Sequence, residues 1–395
     1  MSEKILLGLG NNIDYEIRWD SAPIERMIIE YGLRDAELNT CQEIKNRRDL
    51  LVSILSFLKN GSGGECFVHS SNIIEDFSGN FEKKITLGGT AVRAAAAMRK
   101  LGCRSSVHLV TMNDHVRRFL PEDCEYFCSN ALTSSWPHLI VQFTAGTRVH
   151  ANDIHIETAK ANRIIYTNDE DNALMLLHPE LPVLLAGAKV FLISGFNAMR
   201  DACALKDRLR FLADMLEKQR PDSRALIFFE DACYHKPEMS AIVRGYLLKY
   251  IDIYSLNEDE FESYIERAVS WTDVRDVLEA LADLHRTIPV TTLVVHTRLW
   301  ALAYGKNCTA YRKALTGGIT MAATRFRLGD DFTKEDYAET GRLPEEEAGR
   351  IFALEIEAAS KGLVCCVPSF APTEKNVTTI GLGDTFAGGF LPALI

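Results

Sequence analysis

The residues best suited to chemistry lie near the C-terminus, in the stretch Thr379-Ile380-Gly381-Leu382-Gly383-Asp384-Thr385-Phe386-Ala387-Gly388-Gly389. Gly381 and Gly383 let backbone N–H groups turn toward a ligand, and the small apolar run after Asp384 reads as the first turns of a buried helix. The result is an anion pocket with a carboxylate at its mouth. Asp384 stands where a general base for phosphoryl transfer is needed, and the amides are free to hold phosphate charge. A glycine-rich turn in which Asp384 only caps a helix fits the same residues, so the decision rests on the rest of the chain.

Further candidates are spread upstream. Asn12 and Asp14 follow a short apolar run, Lys4 to Leu9, and read as ligands for hydroxyl groups at the end of a buried strand, or as a turn-stabilising pair. Gly8 and Gly10 are followed by no third glycine at dinucleotide spacing, which removes that reading. Gly88 and Gly89 stand before the Ala-rich helix Ala91 to Leu101, where they suit either close backbone approach to a polar ligand or tight helix-on-sheet packing. Lys160 and Arg163 begin a strand and, with Arg148, form either a phosphate clamp or solvated charge pairs. Asn257 and Glu260 open a helix, where they cap it; with Glu230 they could also supply oxygen ligands to Mg²⁺. No Walker lysine motif, HExxH, GxSxG or paired CxxC is present, so P-loop, zincin and α/β-hydrolase chemistry lose support.

The elements that must position these residues alternate along the second half. Strands are expected at Ala188 to Ile193, Ala225 to Glu230, Ile251 to Leu256, Thr292 to His296 and Leu363 to Val367. Helices fall between them, at Ala198 to Lys218, Met239 to Lys249, Glu258 to Ala268, Trp271 to Thr287, Ala314 to Phe326 and Glu345 to Lys361. This is the rhythm of a parallel sheet with helices on both faces, which binds ligands beyond the carboxyl ends of its strands. Glu230, Asn257 and His296 fall at such ends. Upstream, the pattern from Ala22 to Leu58 is helical, and Ser106 to Thr111 and His138 to Phe143 are short strand candidates.

Composition sets the outer limits. The chain of 395 residues is 47% hydrophobic, enough for a large core, and its net charge of −10 argues against a nucleic-acid partner. The apolar stretches are too short to span a bilayer, and the segment from Met1 to Gly10 has no export-signal pattern. Ten scattered cysteines, of which only Cys124 and Cys128 hint at a site, read as reduced structural thiols. The expectation is a cytoplasmic protein, a monomer or small homo-oligomer, with small-molecule partners and no membrane.

Taken in order, Gly10-Asn11-Asn12-Ile13-Asp14, Gly88-Gly89, Ser194-Gly195-Phe196, Glu230, Asn257 to Glu260, Val295-His296-Thr297, Ala322-Ala323-Thr324-Arg325 and Gly381-Leu382-Gly383-Asp384 resemble the motifs of the ADP-dependent sugar kinases, the glucokinase and phosphofructokinase group of the ribokinase-like superfamily. The resemblance runs over essentially the whole chain, and the GxGD and NxxE pair is its most specific part. It implies an α/β fold, a ribokinase-like central mostly parallel sheet flanked by helices, with a smaller α/β lid domain. Residues 1–14, 86–119 and 176–395 would form the large nucleotide-binding domain, and 15–85 and 120–175 the lid. It further implies that Asp384 is the base, with amides of Gly381 and Gly383 as the anion hole. Asn12, Asp14, Gly88, Gly89 and Arg163 would hold the sugar, and Asn257, His296, Thr297, Thr324, Gly381 and Leu382 the nucleotide. Glu230 and Glu260 would organise Mg²⁺ or a similar divalent cation. The reaction would move the terminal phosphoryl of ADP to a hydroxyl of glucose or fructose 6-phosphate, leaving AMP. An ATP-dependent kinase of the same superfamily and a non-catalytic sugar or nucleotide sensor stay open as alternatives.

Three departures stand out. Phe228 replaces the histidine of the family's His-x-Glu, so one polar group at the metal is expected to be missing. Thr90 replaces the asparagine usual after the glycine pair, and the final helix after Asp384 is short.

Overall fold

The computed structural model describes residues 4–39, 43–130, 134–219, 224–234, 236–371 and 378–395. Its centre is a nine-stranded sheet in the order Val364–Pro368, Trp300–Tyr304, Thr292–His296, Ile253–Asn257, Leu226–Glu230, Val190–Ile193, Ile5–Leu7, Ser106–Leu109 and Glu125–Cys128. All neighbouring strands run parallel except Trp300–Tyr304, which is antiparallel to both of its neighbours. The central strands are continuous apolar runs such as Val-Phe-Leu-Ile at 190–193, because helices cover both faces and no side of the strand meets water. The expected parallel sheet and most of its flanking helices are therefore present. Trp300–Tyr304 was not foreseen: its five residues are apolar on both faces and carry no alternation to mark them.

A second sheet of five strands, ordered Gly64–Phe67, Asn162–Thr167, His138–Phe143, Asn12–Ile17 and Lys83–Gly88, lies beside the first. Here the pattern does alternate. Ile13, Tyr15 and Ile17 face the apolar side with Leu139, Val141, Ile164 and Tyr166, which the Arg47–Asn60 helix covers, while Asn12, Asp14 and Glu16 face the other way. The stretches 15–85 and 120–175 do not coincide with this sheet. Its second-to-last strand starts at Asn12 and its edge strand runs on to Gly88, because the antiparallel ladder continues to the Asn12–Gly88 pair. Glu125–Cys128, inside 120–175, pairs with Ser106–Leu109 in the large sheet. A separate hairpin, Arg148–Ala151 with Ile154–Glu157, rests near the Ser21–Glu30 helix.

Two ties bind the sheets near the site. Asn11, fully buried, accepts from the amides of Val110 and Thr111 at 2.9 and 3.2 Å and donates to the Thr111 carbonyl at 3.1 Å. Asn172 donates to the Asn11 carbonyl at 2.8 Å. On the edge strand Cys365 stands unbridged, and burial pushes its thiol up to about 11, as expected of a structural thiol. Among the described residues no helix is long and apolar enough to cross a membrane.

His108, buried in the large sheet, accepts the His178 amide at 3.0 Å, and burial together with the His178 charge lowers its imidazole to about 4. Above the ordinary histidine value of about 6.5 both folded and unfolded chains are neutral there. As the pH falls from about 6.5 toward 4 only the unfolded chain takes up the proton, so stability is lost across that window, by about 3 kcal/mol at its end. Urea midpoints measured between pH 7.5 and 4.5 should fall less steeply for His108→Gln than for the wild type, and parallel slopes would refute this.

Candidate active site

Gly381 has φ +63°, the left-handed region that an L side chain enters at a cost, and it caps the helix Leu382–Phe390. The turn is held from below: the buried Arg325 Nε donates to the Ile380 carbonyl at 2.7 Å, and the Thr385 hydroxyl donates to the Gly381 carbonyl at 2.7 Å. The first amides of such a helix have no partner within it, and the helix dipole adds to their pull on an anion. Asp384 projects from this first turn. One of its oxygens accepts from the Thr90 hydroxyl at 2.8 Å, and the other lies 3.7 Å from Arg93 Nε. Thr90 opens the neighbouring helix Thr90–Lys100, so the unusual threonine after the glycine pair is the residue that orients Asp384.

The polar face of the small sheet is joined to this turn through Arg93. Asp14 is buried, accepting from Asn12 Nδ2 at 2.6 Å and from Arg93 Nη2 at 2.7 Å. Gly88 sits opposite Asn12, and a methyl group on it would press on Asn12 and come within 2.6 and 2.7 Å of the two Asp14 oxygens. Gly88 therefore leaves room for that pair. By the strand register His138 lies across from Asp14, and Arg163 and Glu65 share the face. Burial alone would lower the His138 imidazole, but Asp169 at 3.1 Å and the nearby Asp14 and Glu65 charges more than offset this and hold it above its ordinary value. Glu65 is pushed up by burial, with the Asp14 and Asp384 charges adding to the effect.

On the other side of the glycine turn lies a cluster of acids at strand ends. His296 Nε2 and Glu230 Oε1 are 2.9 Å apart, both buried, and the ring of His296 stacks on Phe386 at 4.8 Å. A methyl group at Gly383 would meet His296 at 3.2 Å and Glu230 at 3.5 Å, so this pair touches the turn itself. Burial disfavours the charged imidazole, yet the adjoining Glu230 raises it above its ordinary value. His296 thus stands beside Glu230 from two strands away, while Phe228 is a core residue packed on Phe390. Burial and the Asp231 and Glu230 charges push Glu260 well up. Asp231 is raised to about 6 by burial even though Tyr254 and Tyr264 donate to it at 2.7 and 2.6 Å.

These acids suit a divalent cation. Glu230 Oε2 and Asp231 Oδ1 are buried without a hydrogen-bond partner, and the charges of both disfavour a charged Glu260 beside them. Among the described residues no group of three or more His, Cys, Asp or Glu is spaced to enclose a metal unaided.

Several expected residues are placed otherwise. Asn257 Oδ1 accepts from the Glu260 amide at 3.0 Å and Glu260 accepts from the Asn257 amide at 2.9 Å, a reciprocal helix cap that engages one oxygen of each side chain. The Thr297 hydroxyl is used within its own turn, donating to the Trp300 carbonyl at 2.9 Å and accepting from Leu299 and Trp300 at 3.1 and 3.0 Å. Thr324 is fully buried, its hydroxyl donating to the Thr320 carbonyl of its own helix at 2.7 Å. Arg148 pairs with Glu157 on the outlying hairpin at 3.2 Å, and Lys160 is exposed, so of the three cations considered as a clamp only Arg163 stands on the polar face. Gly89, half-buried at φ +98°, has its Cα side against the Gly10 and Asn11 backbone. Leu382 follows the Gly381 cap at the head of the helix. Arg93 and Asp231 carry no motif in the sequence, while Thr90 stands there only as a departure and Arg325 only as the end of a motif. Arg93 did carry a signal: a cation inside the run Ala91, Val92, Ala94, Ala95.

The region described as the ADP-specific phosphofructokinase/glucokinase conserved region matches residues 3–392. An ADP-specific phosphofructokinase of Thermococcus litoralis is 24% identical over 279 residues, 63% of this chain and 61% of the relative, so the match spans less than two thirds of that protein. A phosphofructokinase of Pyrococcus horikoshii OT3, crystallised with AMP, superposes with a TM-score of 0.76 at 19% identity, covering 99% of this chain and 98% of that one. An ADP-dependent kinase in complex with fructose-6-phosphate and ADPβS superposes with a TM-score of 0.77 at 14% identity, covering 100% and 94%. These two likenesses establish the shared fold.

Proposed function

Because the chain belongs to the ADP-specific phosphofructokinase and glucokinase family, we propose that it transfers the terminal phosphoryl group of ADP to a sugar or sugar-phosphate hydroxyl and releases AMP. The observation that carries this reading is Asp384 itself. It stands in the first turn of a helix, aligned by Thr90, at the meeting of the glycine turn and the Asn12–Asp14 face. A binding protein has no use for a base in that position.

Asn12 and Asp14 hold sugar hydroxyls and present one of them to Asp384, which takes its proton as the oxygen attacks the phosphorus. The amides of the Gly381 to Gly383 turn receive the charge of the transferred phosphoryl group. Glu230 and Glu260, the first through its unpartnered oxygen, would hold a divalent cation, which supplies neutralisation of the diphosphate charge when bound. His296 orients Glu230 and borders the nucleotide. The small sheet acts as a lid whose polar face closes on the sugar and excludes water from the diphosphate. The enzyme works in the cytoplasm as a monomer or small homo-oligomer.

The relative solved with fructose-6-phosphate supports a phosphorylated acceptor, and Arg163 is the cation on the polar face available to meet its phosphate. A coupled assay of glucose, fructose 6-phosphate and nucleosides against ADP and ATP, with AMP followed as product, tests the reading. Turnover with ATP alone, or binding of nucleotide and sugar without turnover, would replace it by the ATP-dependent or the sensor alternative. Arg163→Ala should raise KM for the phosphorylated sugar by about tenfold or more, because it removes a charge-assisted hydrogen bond to the phosphate, with little change for the free sugar. Equal effects on both remove the clamp.

A further inference from the structure

Arg93 stands in the Thr90–Lys100 helix with its side chain only 5% exposed, at the junction of the two sheets. Four carboxylates surround it: Asp14 at 2.7 Å, Glu16 at 3.5 Å, Asp384 at 3.7 Å and Asp330 at 3.8 Å. Its Nη1 is buried without a hydrogen-bond partner. The guanidinium also lies directly against the glycine turn, since a methyl group at Gly381 would be 2.9 Å from its Cδ, 3.1 Å from Nε and 3.0 Å from Nη1.

We propose that Arg93 is a positioning residue for phosphoryl transfer, locking the sugar-holding Asp14 and the base Asp384 into one geometry and setting a fixed positive charge beneath the anion turn. The proposal rests on the kinase reading above.

Two physical points carry it. First, a buried guanidinium is costly unless it is paired, and the alanines beside it show that the helix face would accept an apolar side chain. An apolar residue would instead leave Asp14, Glu16 and Asp384 as mutually repelling charges in a partly closed space. Second, the fork divides its work: Nη2 donates to Asp14 while Nε faces Asp384. A lysine ammonium would meet both carboxylates from a single nitrogen, without the rigid fork that reaches each from its own atom. Thr90 donates to one Asp384 oxygen and the Arg93 charge lies 3.7 Å from the other, so both oxygens are addressed.

The test compares wild type with Arg93→Lys, Arg93→Met and Arg93→Ala, active sites being counted by ADP binding. Arg93→Lys should lower kcat about tenfold and Arg93→Ala about a hundredfold or more, with KM for ADP changed little. Arg93 lines a cavity of about 470 Å³ together with Lys84, Val92, Lys100 and Asp330, which gives free guanidinium a path to the vacated place. Millimolar guanidinium should restore part of the kcat of Arg93→Ala and leave the wild type unchanged. A merely structural arginine would lower the melting temperature and the count of active sites but not kcat per site. Should Arg93→Ala not fold, Arg93→Lys and Arg93→Met give the same reading. Wild-type kcat per site in these variants overturns the proposal, whereas a wild type without turnover on any acceptor removes the kinase reading and the role of Arg93 with it.

Discussion

Asp384→Asn is expected to lower kcat by about a thousandfold while leaving nucleotide and sugar bound, because a positioned general base contributes about 10²–10⁴ to such a step. The substitution is close to isosteric. The asparagine carbonyl can still accept from Thr90, whose hydroxyl lies 2.8 Å from the aspartate, and the turn below is held by Arg325 and Thr385 independently of residue 384. What disappears is the capacity to take the proton of the attacking hydroxyl. Calorimetric titration of ADP and sugar should therefore give dissociation constants near those of the wild type, with the effect confined to the single-turnover rate. A variant that keeps more than a tenth of the wild-type rate would show that the hydroxyl reacts without Asp384, and the mechanism above would not stand.

Gly88→Ala should act on the other substrate. Gly88 has no left-handed backbone, so alanine fits its conformation and the effect is one of space alone. The new methyl group would press on the Asn12 amide and come within 2.6 and 2.7 Å of the Asp14 oxygens, closer than carbon and oxygen tolerate. Neither side chain has room to retreat: Asp14 is held by Arg93 at 2.7 Å and Asn12 by Asp14 at 2.6 Å. A displacement of about 1 Å at groups that position a substrate costs about a hundredfold. The expected result is a rise of about that size in KM for the acceptor sugar, with ADP affinity unchanged and the melting temperature lowered by the overpacking. A drop in ADP affinity equal to the drop for sugar would place Gly88 outside the acceptor site.

The two variants differ in how far the sequence alone anticipates them. Asp384 sits in a motif whose chemistry is local: two glycines, a carboxylate and a buried helix start are adjacent in the chain, and backbone physics is enough to join them. Glu230, Asn257 and His296 were likewise recognisable, because a parallel sheet brings all of its strand ends to one edge. Which of their atoms are free was not recognisable. Asn257 commits its oxygen to a cap, Thr297 to a turn and Thr324 to its own helix, and each of these bonds forms only once the neighbouring backbone is in place.

By itself the sequence determined the class of fold, the strand ends that carry acids and the glycine turn that carries Asp384, since these follow from periodicity and from residues close together in the chain. The tertiary structure decided the rest. Pairing of four strands of the small sheet puts Asn12, Asp14, His138, Arg163 and Glu65 on one face, though they are drawn from widely separated parts of the chain. Packing buries Arg93 among four carboxylates and puts His296 beside Glu230. A charge or an imidazole in a linear sequence is most often a solvated one, and only the exclusion of water by distant segments makes these two part of the site.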